Sequence, residues 1–250
     1  MTTRSGALRR RRKPSLATRL RIFWVFIVLI VGALSYSVFA FITWPALRVH
    51  AISVDIDGLA VTKRDVLDAA RIEADRNVWL LDTGKIARRI EAIPYVEAAS
   101  VRRIPPADIA IAVSEREPAA CVRAGSALVT IDRTRRILQT GCARPSALEI
   151  SVPAAVVGAP GSMARAPDVA TLLGDAQVLR DANIELRSIR EDRFGQIIAS
   201  DTGGIELLLG ADADLAEKAK LVAPVLAAAR GRKLRAVDLR APATPTVEFR

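Results

Sequence analysis

The sequence predicts an α+β protein: a single N-terminal transmembrane helix, then a small module of three strands and two helices, and a larger, mostly antiparallel β-domain with helices. Three observations predict it. Ile22 to Trp44 is a run of 23 residues without a charge. Residues 49–117 read as strand, helix, helix, strand, strand. Residues 118–250 read mostly as short strands separated by glycine and aspartate turns, with two helical stretches between them.

The apolar run comes first in the chain. At 1.5 Å per helical residue it extends about 34 Å, enough to cross a hydrocarbon core of about 30 Å. It has no polar face, which a core helix of a soluble domain would need. Trp24 and Trp44 stand near its ends, where amphipathic rings favour the membrane interface. A secretory signal would also begin basic, and Val38-Phe39-Ala40 resembles a cleavage site, but signal cores are only about 7–15 residues long. An uncleaved anchor over residues 22–44 is therefore expected.

Residues 1–21 carry eight basic side chains (Arg4, Arg9, Arg10, Arg11, Arg12, Lys13, Arg19, Arg21) and no acid. Removing them from the net charge of +10 leaves only +2 for the rest of the chain. The basic tail is expected to stay cytoplasmic, with everything after the span outside. The high charge is then no sign of a nucleic-acid-binding domain. A juxtamembrane basic cluster is held by anionic lipid, at about 1 kcal/mol per residue.

Beyond the span, Val49 opens a strand in which Ile52, Val54 and Ile56 alternate with polar residues up to Asp57-Gly58. Thr62 and Asp65 form a capping pair for a helix that carries Val66, Leu67 and Ala70 on one face. A second helix repeats Ile86, Ile90 and Ile93 at i, i+4, i+7 and stops before Pro94. "YVEAASVRR" is a strand and Pro105-Pro106 a turn. Ile109, Ile111 and Val113 then share one face of the next strand, opposite Ala110, Ala112 and Ser114, so its register is well determined.

In the larger part, "ACVRAG", "ALVTID" and "RRILQT" read as a meander, and "EISVPAAVVG" as a further apolar run. Helical spacing follows through Val169, Leu172, Leu173 and Val178. "IELRSIRED", "GQIIASDT" and "GIELLLG" read as three more strands. A helix from "DLAEKAKLVAPVLAAARG" is capped by Asp214 and Glu217, closed by Gly231 and kinked at Pro224. "LRAVDLRAP" and "PTVEFR" end the chain as strands.

Signs of catalysis are few. His50, the sole histidine, sits just outside the membrane, where it has no nucleophile to activate. CxxC, HExxH and P-loop spacings are absent, and Gly203-Gly204 reads as a hairpin turn. Glu115 and Glu117 share a face of a strand end and would suit a glycosidase only if they met in a pocket. Solvated charges at a strand exit are the commoner arrangement. No enzyme, cofactor or metal site is expected. Cys121 and Cys142 both fall in the exported part, where a disulfide and a pair of small buried apolar side chains both remain open.

The stretch "IPYVEAASVRRIPPADIAIAVSEREPAA", the helix "GADADLAEKAKLVAPVL" and the closing "VDLRAPATP" together resemble the FtsQ/DivIB family of bitopic bacterial cell-division proteins. Ile104 departs from the aromatic the family usually places before the proline, and Pro224 interrupts the late helix. The resemblance implies a cytoplasmic tail over 1–21, a span over 22–44, a POTRA domain over 49–117 and a β-domain over 118–250 that ends in an edge strand. It also implies a division scaffold at the septum, with its C-terminus extracytoplasmic. Such a scaffold recruits FtsB- and FtsL-like bitopic proteins and, through them, septal peptidoglycan synthases. On this reading Glu115, Arg116 and Pro118 form an interdomain joint, with Arg116 paired to a carboxylate. Thr246, Val247, Glu248, Phe249 and Arg250 offer an open edge for β-augmentation. Phe249 is either an anchor for the partner or part of the core.

Overall fold

The computed structural model describes residues 16–73, 75–144, 147–152, 158–165, 167–229 and 231–250. The tail residues Arg4, Arg9 to Arg12 and Lys13, and residues 153–157 of "EISVPAAVVG", lie outside the described residues. By internal contacts the chain divides into two units. One holds the N-terminal helix with segments 72–82 and 102–110, and the other holds 54–71, 83–101 and 111–250.

In the first unit, α1 (Leu16–Thr43) contains a largely apolar stretch from Leu20 to Thr43, with mean hydropathy 2.6 over an 18-residue window of it, long enough to cross a membrane. Its large apolar side chains point outward on every side, as a lipid-facing helix requires. The hydroxyls of Ser37 and Thr43 donate to the carbonyls of Ala33 and Phe39, both at 2.8 Å, which satisfies them inside the helix. Asn77, only 5% exposed, donates from Nδ2 to the Phe41 carbonyl at 2.7 Å and accepts the Trp79 N–H at 2.9 Å. One amide side chain thus satisfies an orphan carbonyl near the helix C-terminus. Val49 N–H donates to Arg76 O. That bond takes Val49 out of the strand expected to begin there, and β1 runs only from Ile52 to Asp57.

The small module continues with α2 (Lys63–Ala70), α3 (Thr83–Ile90), β2 (Val96–Ile104) and β3 (Asp108–Glu115). Its sheet has the order β1-β3-β2. Thr62 and Asp65 close a reciprocal capping box on α2, and α2 packs against α3. Val66, Ala70, Ile86 and Ile90 are buried on the two helices, and Ile109, Ile111 and Val113 on β3. The 3.6- and 2-residue periods put these residues on one face, but Leu67, expected beside Val66 and Ala70, is 40% exposed.

The second sheet has nine strands: β4 (Pro118–Ala124), β5 (Ala127–Asp132), β6 (Ile137–Thr140), β7 (Glu149–Val152), β8 (Leu186–Glu191), β9 (Ile197–Asp201), β10 (Glu206–Gly210), β11 (Leu234–Asp238) and β12 (Thr246–Phe249). The order is β12-β11-β10-β9-β8-β7-β4-β5-β6. Five of the eight ladders are antiparallel; β4–β7, β7–β8 and β10–β11 are parallel. Parallel neighbours need a crossover. α4 (Pro167–Asp181) supplies it between β7 and β8, and α5 (Leu215–Ala228) between β10 and β11. α4 lies against β7, β8 and α5, and buries Val169, Leu172, Ala176 and Leu179 with the sheet's inner residues.

The start of α5 differs from expectation. Asp214 adopts a left-handed φ of 62° and makes no side-chain cap. Its main-chain carbonyl accepts the N–H groups of Glu217 and Lys218 instead, both at 3.0 Å. The Lys218 ammonium is buried and donates to Ala211 O at 2.8 Å. The helix continues through Pro224 to Ala228.

Candidate partner-binding edge

β12 is the last strand of the nine-stranded sheet, with β11 as its neighbour. The pair is antiparallel, with Thr246 opposite Asp238, Val247 opposite Val237 and Glu248 opposite Ala236. Arg250 N–H donates to Lys233 O at 2.9 Å. Main-chain groups point to alternate sides of a strand, so the N–H and C=O of Val247 and Phe249 project from the open side. An edge of this kind is a template for one more strand.

The side chains of the edge have different surroundings. Thr246 is exposed, and Val247 is 36% exposed. Glu248 pairs with Arg235 across the ladder at 2.8 Å, both well exposed, a contact worth at most about 1 kcal/mol. Phe249 is partly buried against the main core, and the Arg232 guanidinium lies 3.5 Å above its ring. In the free chain the ring lies against the core, and Val247 is the more exposed apolar side chain on the strand. The Arg250 guanidinium donates to Gly204 O at 2.9 Å, tying the strand end to the β9–β10 turn.

The residues Glu115-Arg116-Glu117-Pro118 divide between different tasks. Glu115 accepts three main-chain N–H groups, from Leu59, Ala60 and Val61, at 3.0, 2.9 and 2.7 Å. It fixes the loop between β1 and α2. Gly58 next to it has φ 149°, and a Cβ there would lie 2.1 Å from Glu115 Oε2. That carboxylate cannot withdraw without giving up its three donors, so the close approach requires glycine. Arg116 Nη1 donates to Asp132 Oδ2 at 2.8 Å and its Nε to Val96 O at 3.0 Å. The two charged side chains are 14% and 6% exposed. Asp132 also accepts from Thr134 Oγ1 and Arg136 N–H. Pro118 begins β4, and Tyr95 donates to Gln139 Oε1 at 2.7 Å, a second bond between the small module's chain and the β5–β6 region.

Cys121 and Cys142 are joined in a disulfide with Cα atoms 5.5 Å apart, within the usual range. Cys121 is fully buried on β4. Of the residues weighed for catalysis, Glu115 is fully engaged by the loop, and His50 Nδ1 lies 2.8 Å from Arg48 O. Among the described residues no three of His, Cys, Asp and Glu gather as a metal site. Sequence reasoning missed Asp132, which follows β5 alternation as an ordinary turn aspartate. It also missed Asp175, which carries a buried acid on the inner face of α4.

Residues 48–116 match the family model for the POTRA domain, FtsQ-type, which places the chain among POTRA-bearing proteins. Over 199 residues, 74% of the chain, it is 28% identical to the cell division protein FtsQ of Anaeromyxobacter sp. (strain K). The chain covers 65% of that relative's length. Both likenesses are to FtsQ-type sequences, one over a single domain and the other over most of the chain.

Proposed function

We propose that this protein is a bitopic membrane scaffold of bacterial cell division, with its N-terminus cytoplasmic and its C-terminus extracytoplasmic at the septum. The observation that carries the reading is an FtsQ-type POTRA domain over residues 48–116, directly after an apolar helix that ends at Thr43. The relative's own description as a cell division protein supports it. The scaffold works by holding partners and catalyses no reaction. FtsB- and FtsL-like single-pass proteins add a strand to the open side of Thr246–Arg250, and through them the scaffold couples ring assembly to septal peptidoglycan synthases. Main-chain hydrogen bonds supply the affinity of such an added strand, and side chains such as Val247 its specificity. Glu115, Arg116 and Pro118 set the joint between the two extracytoplasmic domains. The basic tail binds anionic lipid, and nucleic acid is not required. The test is a fluorescent protein fused to Met1 in dividing cells. A band at midcell that precedes constriction is expected, and a uniform membrane signal through the cycle would refute the scaffold role.

A further inference from the structure

A cavity of about 590 Å³ opens where the start of β4, the β5–β6 turn, the chain entering β7 and one face of α4 meet. That volume is in the range of binding sites for small ligands and short peptide segments. Three leucines, Leu148, Leu173 and Leu186, form its apolar lining. Around them stand four arginines: Arg133 and Arg135 from the β5–β6 turn, Arg144 from the chain entering β7, and Arg180 from α4. None of these guanidinium groups makes a hydrogen bond or ion pair among the described residues. Elsewhere in this molecule arginines near the surface commonly find a carboxylate, as Arg123 and Arg190 do. With Glu117 as the one carboxylate in the lining, the four arginines leave the concavity net positive, and their mutual repulsion is relieved by a further anion among them.

Gly174 points to an occupant independently. It lies in the middle of α4, lines the cavity, and a Cβ added to it would meet nothing within 4 Å. Glycine is among the poorest residues inside a helix. Neither a left-handed φ nor a close neighbour within the chain calls for it here. What a larger side chain would do at 174 is fill the cavity. Ala170, one turn earlier, keeps the same strip of the helix low.

We propose that this cavity docks a carboxylate-rich segment of a partner polypeptide, with an apolar residue of the segment on the leucines and its acids among the arginines. Two features favour a peptide over a phosphate group. The apolar lining suits a side chain such as leucine, and Glu117 and Gln177 on the rim offer acceptors for peptide N–H groups, which a phosphate lacks. The site is separate from the β12 edge and does not depend on augmentation there.

The test uses the full chain in detergent micelles and fluorescence anisotropy of a labelled peptide with a central leucine flanked by glutamates. Its control is the same peptide with glutamines in place of the acids. The glutamate peptide should bind, more weakly as salt rises, and the glutamine peptide should not. Gly174→Leu and the pair Arg135→Ser, Arg180→Ser should each weaken binding about tenfold or more. Gly174→Ala, which strengthens the helix, should weaken binding less while keeping an unimpaired thermal transition. Val247→Ser at the sheet edge should change nothing. Equal binding of the two peptides, or indifference to Gly174→Leu in a folded variant, overturns the proposal. So does failure of the glutamate peptide to bind while pyrophosphate or phosphatidylglycerol vesicles bind in an arginine-dependent way.

Discussion

Arg116 and Asp132 are the charged pair whose removal should cost this molecule most. A largely buried ion pair gains little over apolar packing, but breaking one side strands the other charge away from water. Asp132 would keep its bonds from Thr134 and Arg136 and lose its only countercharge in the described contacts. Arg116→Ala should therefore destabilise the folded chain by about 3 kcal/mol or more, read from denaturant unfolding. Asp132→Ala in that background should add much less than it costs alone. Asp175 is the opposite case. It is 6% exposed, and its Oδ2 has no hydrogen-bond partner. Burial first, and then the neighbouring acids Asp212 and Glu191, push its carboxyl up to about 6. Between the ordinary carboxylate range and that value the folded chain holds a proton that the unfolded chain has released. The stabilisation is complete below about pH 4 and lost as the pH rises through about 6. Asp175→Asn removes the charge at every pH and gives Asp212 an amide donor. It should raise the melting temperature at about pH 8, by an amount equivalent to at most about 3 kcal/mol, and leave it nearly unchanged at about pH 4.

Strand β12 is the element on which partner binding turns in this reading. It contributes little to the core: Thr246, Val247 and Glu248 are exposed, and Phe249 alone packs against the buried cluster. Deleting Thr246–Arg250 should abolish capture of an FtsB-like segment while the remaining sheet keeps a cooperative unfolding transition, lowered mainly by the loss of Phe249, worth about 1–3 kcal/mol. Undiminished partner affinity in a pull-down with the purified partner would sink the edge as the site. At this scale much of the architecture is readable in the sequence, because local signals and burial agree. The capping box at Thr62, the Ile86/Ile90 stripe and the alternation through Ile109 to Val113 all name their element and its inner face. Pairing across long separations is not readable that way. "ACVRAG" and "EISV" read as separate short strands, and nothing local says that β7 lies parallel beside β4, with α4 carrying the chain on to β8. The same holds for the arginine cavity. Its four cations are scattered from 133 to 180, each an ordinary surface arginine until the fold gathers them. Asp214 misled because an aspartate before a helix usually caps with its side chain, and here the left-handed backbone turns that side chain away.

For the whole molecule, the proposed role requires the sheet edge and the POTRA domain to stand on the far side of the membrane from the tail. The chain's charge distribution argues for this orientation. Eight positive charges precede residue 22 and none of the 23 residues after it is charged, while the long domain that follows is nearly balanced. Lys and Arg close to a span resist translocation, whereas long, nearly neutral domains pass largely regardless of sequence. The disulfide joining Cys121 and Cys142 accords with an oxidising side for the C-terminal domain. Alkaline phosphatase fused after Arg250 should thus be active in intact cells, and a fluorescent protein that matures only in the cytoplasm should be bright when fused before Met1. Replacing Arg9 to Lys13 with serines should make topology mixed, with a fraction of the C-terminal fusion losing activity, because Arg4, Arg19 and Arg21 alone hold the tail less firmly. If the unmodified chain gave an inactive phosphatase at its C-terminus, the edge strand would face the cytoplasm, and the septal partners assigned to it could not reach it.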